Sequence, residues 1–133
     1  MLGVRNYTKE YINACRSKIA FDLSAYKKIA SNAKAVSGFE SAFFNNMVLV
    51  LDHLFVHRLR TVEGKDGNPL NEVRLLGDSI MNNNGMMGTD KTIKYDPVKS
   101  FLKYNVGDKI KLTEADFARL TNAFFIELES KFI

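Results

Sequence analysis

With 133 residues, 46% hydrophobic and 26% charged, the chain fits one soluble globule that buries roughly two thirds of its unfolded surface. A net charge of +4 and a pI near 9.2 permit a polyanionic partner without demanding one, because dedicated nucleic-acid modules concentrate Lys and Arg more sharply. The lone Cys15 excludes an intrachain disulfide and a thiolate metal site, and the longest apolar run, Met47 to Leu51, is far too short to span a membrane. Residues Met1 to Tyr7 lack the apolar core of a signal peptide, so the expectation is a cytoplasmic protein, a single helical domain over 1–133, with no membrane association.

The first helix is expected from Thr8 to about Ala35. Thr8 supplies a cap, and Tyr11, Cys15, Ile19, Leu23, Tyr26, Ala30 and Ala33 recur every three or four residues. Ser37 and Glu40 match a capping box, which starts a second helix at Gly38 and carries it to about Val62, antiparallel to the first. Wound at about 100° per residue, this helix gathers Phe43, Phe44, Met47, Val50, Leu51, Leu54 and Phe55 into a broad apolar arc. Asn45, Asn46, Asp52, His53, His57 and Arg60 fall opposite. A surface helix has a narrower apolar stripe and a face of Lys and Glu, so this one reads as the centre of the fold. Its polar face is expected to meet another helix, a second subunit or a ligand.

Gly64, Gly67, Asn68 and Pro69 make a helix stop, a turn and a helix start. The third helix is expected from Pro69 to about Met81, burying Leu70, Val73, Leu76 and Ile80 and extending its apolar stripe to Met81, with Asn82-Asn83-Asn84-Gly85 ending it. Lys91 to Tyr95 and Asp108 to Leu112 alternate polar with apolar residues, as half-buried strands do, and Val98 to Tyr104 leans to strand. Thr113 and Asp116 then cap a last helix whose stripe is Phe117, Leu120, Phe124, Leu128 and Phe132, widened by Phe125 and Ile126. The fold expected is mainly α: a four-helix bundle with a small β-hairpin or meander inserted between helices 3 and 4.

The run Phe43-Phe44-Asn45-Asn46-Met47-Val48-Leu49-Val50-Leu51-Asp52-His53, followed by Val56 to Arg74, resembles a family of short bacterial proteins of unknown function. The likeness extends through Asp90 to Lys94 and Val106 to Phe117, most of the chain. It implies a bacterial cytosolic protein and carries no activity with it.

His53 and His57 stand one helical turn apart, a spacing that suits a Zn, Ni or Fe ion. With no other histidine the third ligand must be a carboxylate, and Asp52 points away from the pair by about 100° on a continuous helix. The Glu of a His-Glu-x-x-His motif is missing, and so are the Glu-x-x-His pairs of di-iron bundles. Structural, hydrogen-bonded histidines are the competing reading. His57-Arg58-x-Arg60 with Lys65 and Arg74 suits a phosphate, or simply a cationic helix end. Asn71, Glu72 and Arg74 are expected to form a lattice of ion pairs with Arg58 or Arg60. The lysines between Lys91 and Lys111, interleaved with Tyr95, Phe101 and Tyr104, suit either a nucleic-acid track or the protection of strand edges.

The leading functional expectation is a non-enzymatic binding module using the polar face of helix 2 and the loop after it, with Asn46, His53, His57, Arg60, Asn71 and Arg74 as ligand-binding residues. The alternatives are an enzyme or sensor with a divalent metal on His53 and His57, and a binder of nucleic acid or phosphate. The apolar surplus of helices 2 and 4 suggests a homodimer.

Overall fold

The computed structural model describes residues 3–30, 37–59 and 68–132. Its helices are α1 (Lys9–Ala30), α2 (Ser37–Leu54), α3 (Pro69–Asn82) and α4 (Glu114–Phe132), with a short 3-10 helix at Val56–Arg58. The expected caps are in place. Tyr11 N donates to Thr8 Oγ1 at 3.1 Å, Asn71 N to Asn68 Oδ1 at 3.0 Å, and Asp116 N to Thr113 Oγ1 at 3.1 Å. Each satisfies an amide that has no partner within its own helix. Glu40 reaches a second helix: its carboxylate accepts the Glu114 amide at 3.0 Å and caps α4. At the end of α3, Asn84 and Gly85 take left-handed backbone conformations, φ 56° and 74°, which stop the helix as read.

α2 is central. It packs on both α3 and α4, and α3 packs on α4. Phe44, Met47, Val48, Leu51 and Phe55 are buried, while Val50 and Leu54 of the expected arc are half-buried. α1 joins through large aromatic side chains: Tyr26 stacks on Phe43 and meets Phe44 edge-on at 4.8 Å, and Tyr7 and Tyr11 contact Phe55. α4 contributes the whole expected stripe from Phe117 to Phe132, plus Phe125. Ile126 and Met81 do not join the core and are exposed. A groove of about 540 Å³ lies between α1 and α4, lined by Ile19, Ala20, Leu23, Ala118, Phe125 and Ile126 among others.

The β insert is a correction. Among the described residues there is no strand, only isolated bridges such as Met86 with Lys109, and Val98 to Tyr104 is a succession of turns. The alternating pattern did mark burial correctly, since Ile93, Ile110 and Leu112 are buried. What it misread is where the backbone bonds go. Asn45 on α2 donates to the Ile110 carbonyl (2.9 Å) and accepts the Leu112 amide (3.2 Å), filling the place of a neighbouring strand with one side chain. Tyr104 Oη accepts the Lys111 amide, and Glu72 takes those of Phe101 and Leu102. Side chains of α2 and α3, Tyr104, and backbone bonds from Gly85 and Met87 to residues 107–110 thus satisfy this segment without a regular ladder. With no strand edges to protect, that reading of the lysines lapses.

α2 also ends earlier than expected, at Leu54 rather than near Val62. Its last carbonyls are diverted. Tyr11 Oη donates to Leu54 O at 2.5 Å, and Tyr7 Oη makes a short hydrogen bond to Phe55 O. Arg58 N then bonds Phe55 O in the tighter 3-10 manner, and Val4 N takes the Arg58 carbonyl. Tertiary hydrogen bonds from the N-terminal segment stop this helix, with no Gly or Pro at the break.

Candidate functional site

The break in α2 decides what its polar residues do. On a continuous helix His53 and His57 would share a face and Asp52 would point elsewhere. The turn at Phe55 and the 3-10 helix rotate His57 instead onto Asp52, and Nδ1 meets the carboxylate Oδ2 at 2.8 Å. The two partners differ sharply in exposure: the Asp52 side chain is 9% accessible and that of His57 is 65% accessible. A buried carboxylate therefore fixes the orientation of an imidazole whose Nε2 faces water, and among the described residues Nε2 has no partner. His53 is exposed and has no hydrogen-bond partner among the described residues, yet lies near enough for its charge to be felt at Asp52.

The carboxylate itself is tightly held. α3 approaches α2 here at Gly77, where a Cβ would lie 3.1 Å from Asp52 Oδ2. Oδ1 is buried with no hydrogen-bond partner among the described residues. Burial raises the Asp52 pKa above its ordinary 3.8, opposed by the His57 hydrogen bond and then by the charges of His57, Arg74 and His53. A raised folded pKa means that protonation favours the folded state. The stabilisation is fully present below the unfolded value and is lost as pH rises through the folded one. Asp52→Asn mimics the protonated form, so its melting temperature should gain on the wild type between about pH 4 and 7. A constant difference across that range would contradict this linkage.

Arg74 is half-buried, near enough to Asp52 and Asp90 to lower both pKa values, yet it makes no hydrogen bond or close ion pair among the described residues. The other expected residues scatter. Asn46 is exposed on α2. Asn71 is buried at 1% accessibility in the first turn of α3, where its amide receives the Asn68 cap. Arg60 lies outside the described residues, as does the whole stretch 60–67, Lys65 included. The expected lattice of ion pairs does not form between Glu72 and Arg58: the Arg58 guanidinium lies 4.5 Å over the Tyr11 ring, and Glu72 is committed to backbone amides.

Among the described residues no three His, Cys, Asp or Glu side chains gather as a metal centre would require. Three contacts escaped the sequence reading: the Asp52–His57 pair, the Asn45 clamp and the Glu72 clamp. The first depends on a helix break with no local signal. Asn45 and Glu72 announce themselves only as short polar groups on otherwise apolar, buried turns. Comparison with protein-family models, with curated proteins and with solved structures yields no match for this chain. The site must therefore be read from its own geometry. No helix among the described residues is long and apolar enough to cross a membrane.

Proposed function

We propose that the protein is a non-enzymatic binding module that receives an anionic group of its ligand at the end of α2, between His57 and Arg74. The observation that supports this is the 2.8 Å contact that fixes the His57 ring on buried Asp52 and leaves Nε2 outward. Orientation of the ring removes rotamer entropy before binding, and with Nδ1 donating to Asp52 it is the imidazolium that presents an Nε2–H to the anion, so capture takes up a proton. Arg74 adds a guanidinium with no committed partner among the described residues. A planar guanidinium pairs well with carboxylate or phosphate. No Ser, Thr or Cys side chain bonds to His57 among the described residues, so the geometry favours capture over nucleophilic catalysis.

Calorimetric titration with inorganic phosphate tests this. Saturable binding should weaken about tenfold or more in Arg74→Ala, the loss of one charge-assisted hydrogen bond. Unsaturable heats, or binding indifferent to both His57→Ala and Arg74→Ala, would refute it. A metal reading keeps one specific support, because a histidine with Nδ1 on a carboxylate and Nε2 free is how metal-binding imidazoles are presented. Stoichiometric Zn²⁺ lost in His57→Ala would replace the anion reading with that one. The apolar surplus behind the homodimer expectation is largely spent inside the chain, and exposed Ile126 and Phe39 are what α4 and α2 leave over for a second copy.

A further inference from the structure

The loop from Asp96 to Lys103 is held with unusual completeness for a surface turn. Asp96 takes the Val98 amide on Oδ1 at 3.0 Å and the Lys99 and Ser100 amides on its carbonyl. Glu72 accepts the Phe101 amide at 2.9 Å and the Leu102 amide at 3.1 Å, one on each carboxylate oxygen. Lys103 N donates to the buried Ser100 Oγ at 2.7 Å, so every amide from 98 to 103 has a partner within the protein. Lys103 sits at φ 58°, a left-handed conformation that a lysine adopts only under constraint. Glu72 is 1% accessible and has no cation beside it among the described residues, and burying a carboxylate in this way is costly.

Two apolar side chains of this loop face solvent. Val98 is 77% exposed and Phe101 39% exposed. Lys94, Lys99 and Lys103 are exposed in the same stretch, as is Asp96, and Lys103 Nζ donates to the Val98 carbonyl at 2.8 Å. From Lys91 to Lys111 the chain carries six lysines, two aspartates and no Arg or Glu, an excess of +4 that equals the net charge of all 133 residues. The remainder of the protein is formally neutral. The positive charge is therefore a local property of the segment that holds the apolar tip.

We propose that the 96–103 loop docks on an anionic lipid surface, with Val98 and Phe101 entering the head-group layer and Lys94, Lys99 and Lys103 meeting its phosphates. Short apolar side chains set among lysines are what an interfacial contact uses, and a loop ordered in advance loses little entropy on docking. Nucleic acid fits less well. The Tyr95 and Tyr104 rings are half-buried, and their hydroxyls bond Tyr104 O and Lys111 N, which removes them as stacking platforms. No arginine lies in the segment to fork onto phosphate. Peripheral attachment of this kind needs no spanning helix, and it is independent of the His57 site.

The test is co-sedimentation of the full chain with phosphatidylcholine vesicles, with and without roughly one third phosphatidylglycerol. Binding is expected to the anionic vesicles alone and to weaken as salt rises. The Val98→Asp, Phe101→Asp double variant should cut partition about tenfold or more, and each of Lys94→Ala, Lys99→Ala and Lys103→Ala about fivefold. Val98, Lys94 and Lys99 are exposed, whereas Lys103 Nζ also donates to the Val98 carbonyl at 2.8 Å, so hydrogen exchange of the 98–103 amides checks that the loop stays ordered in each variant. Ile126→Asp, an exposed apolar residue on α4, and His57→Ala should bind as the wild type does. Failure to bind anionic vesicles overturns the proposal. So does equal loss in Ile126→Asp, and so does salt-sensitive binding to a single-stranded oligonucleotide or to polyglutamate in place of vesicles.

Discussion

Phe55→Ala should destabilise the protein by about 3–5 kcal/mol, the range for removing a fully buried phenylalanine. The ring has no accessible surface and sits among Tyr7, Tyr11, Phe124 and Phe125, with centroids at 5.3, 5.6, 5.7 and 5.5 Å. Its neighbours come from the N-terminal segment, α1 and α4, so the cavity left behind cannot collapse by moving one element. At this chain length the loss corresponds to roughly 10–20 °C in melting temperature. Phe55 is also the residue at which α2 stops, and its carbonyl receives both Tyr7 Oη and Arg58 N. The variant should therefore disturb the 3-10 helix and with it the seat of His57. Thermal unfolding measures the first effect. A loss below about 1 kcal/mol would show that the aromatic cluster is looser than these contacts imply.

The second large effect belongs to Glu72. Glu72→Ala removes a carboxylate that accepts two amides, each such charge-assisted bond contributing about 1.5–3 kcal/mol. The cost of burying the charge is relieved at the same time, and the Phe101 side of the loop is near water, so the net loss should be about 2–4 kcal/mol. Glu72→Gln should recover only part of this, because an amide side chain offers one acceptor where two donors point. Hydrogen exchange separates this from general destabilisation: the Phe101 and Leu102 amides should lose protection before those of Val73 and Leu76 on α3. Burial pushes the Glu72 pKa up, against the pull of the two amides. By the same linkage as for Asp52, protonation favours the folded state as a whole, although the protonated carboxyl would hold the loop amides less well.

These residues show how far the sequence could be read. The four helices, the Thr8, Asn68 and Thr113 caps and the α4 stripe are set by local spacing, and they appear where the periodicity puts them. The insert and the end of α2 were missed for one common reason. Both are governed by side chains distant in sequence: Asn45 reaches residues 110 and 112, Glu72 reaches 101 and 102, and Tyr7 and Tyr11 reach 55 and 54. An alternating pattern reports that one side of a segment is buried, but not what accepts its backbone bonds. At the candidate site, naming His57 and Arg74 was possible from residue chemistry. The pairing with Asp52 was not, because it appears only once tertiary bonds have interrupted the helix.

The measurement that bears most directly on the central claim is a long-range proton–nitrogen correlation spectrum of the two imidazoles, recorded with and without inorganic phosphate. Asp52 accepting from Nδ1 should hold neutral His57 as the Nδ1–H tautomer, against the usual preference, while exposed His53, which has no such partner among the described residues, keeps the usual one. Phosphate should then drive a proton onto Nε2 of His57, shifting its resonance saturably to the imidazolium position, and leave that of His53 in place. A His57 that shows the ordinary tautomer and ignores phosphate would contradict both the orientation by Asp52 and the anion-binding role built on it.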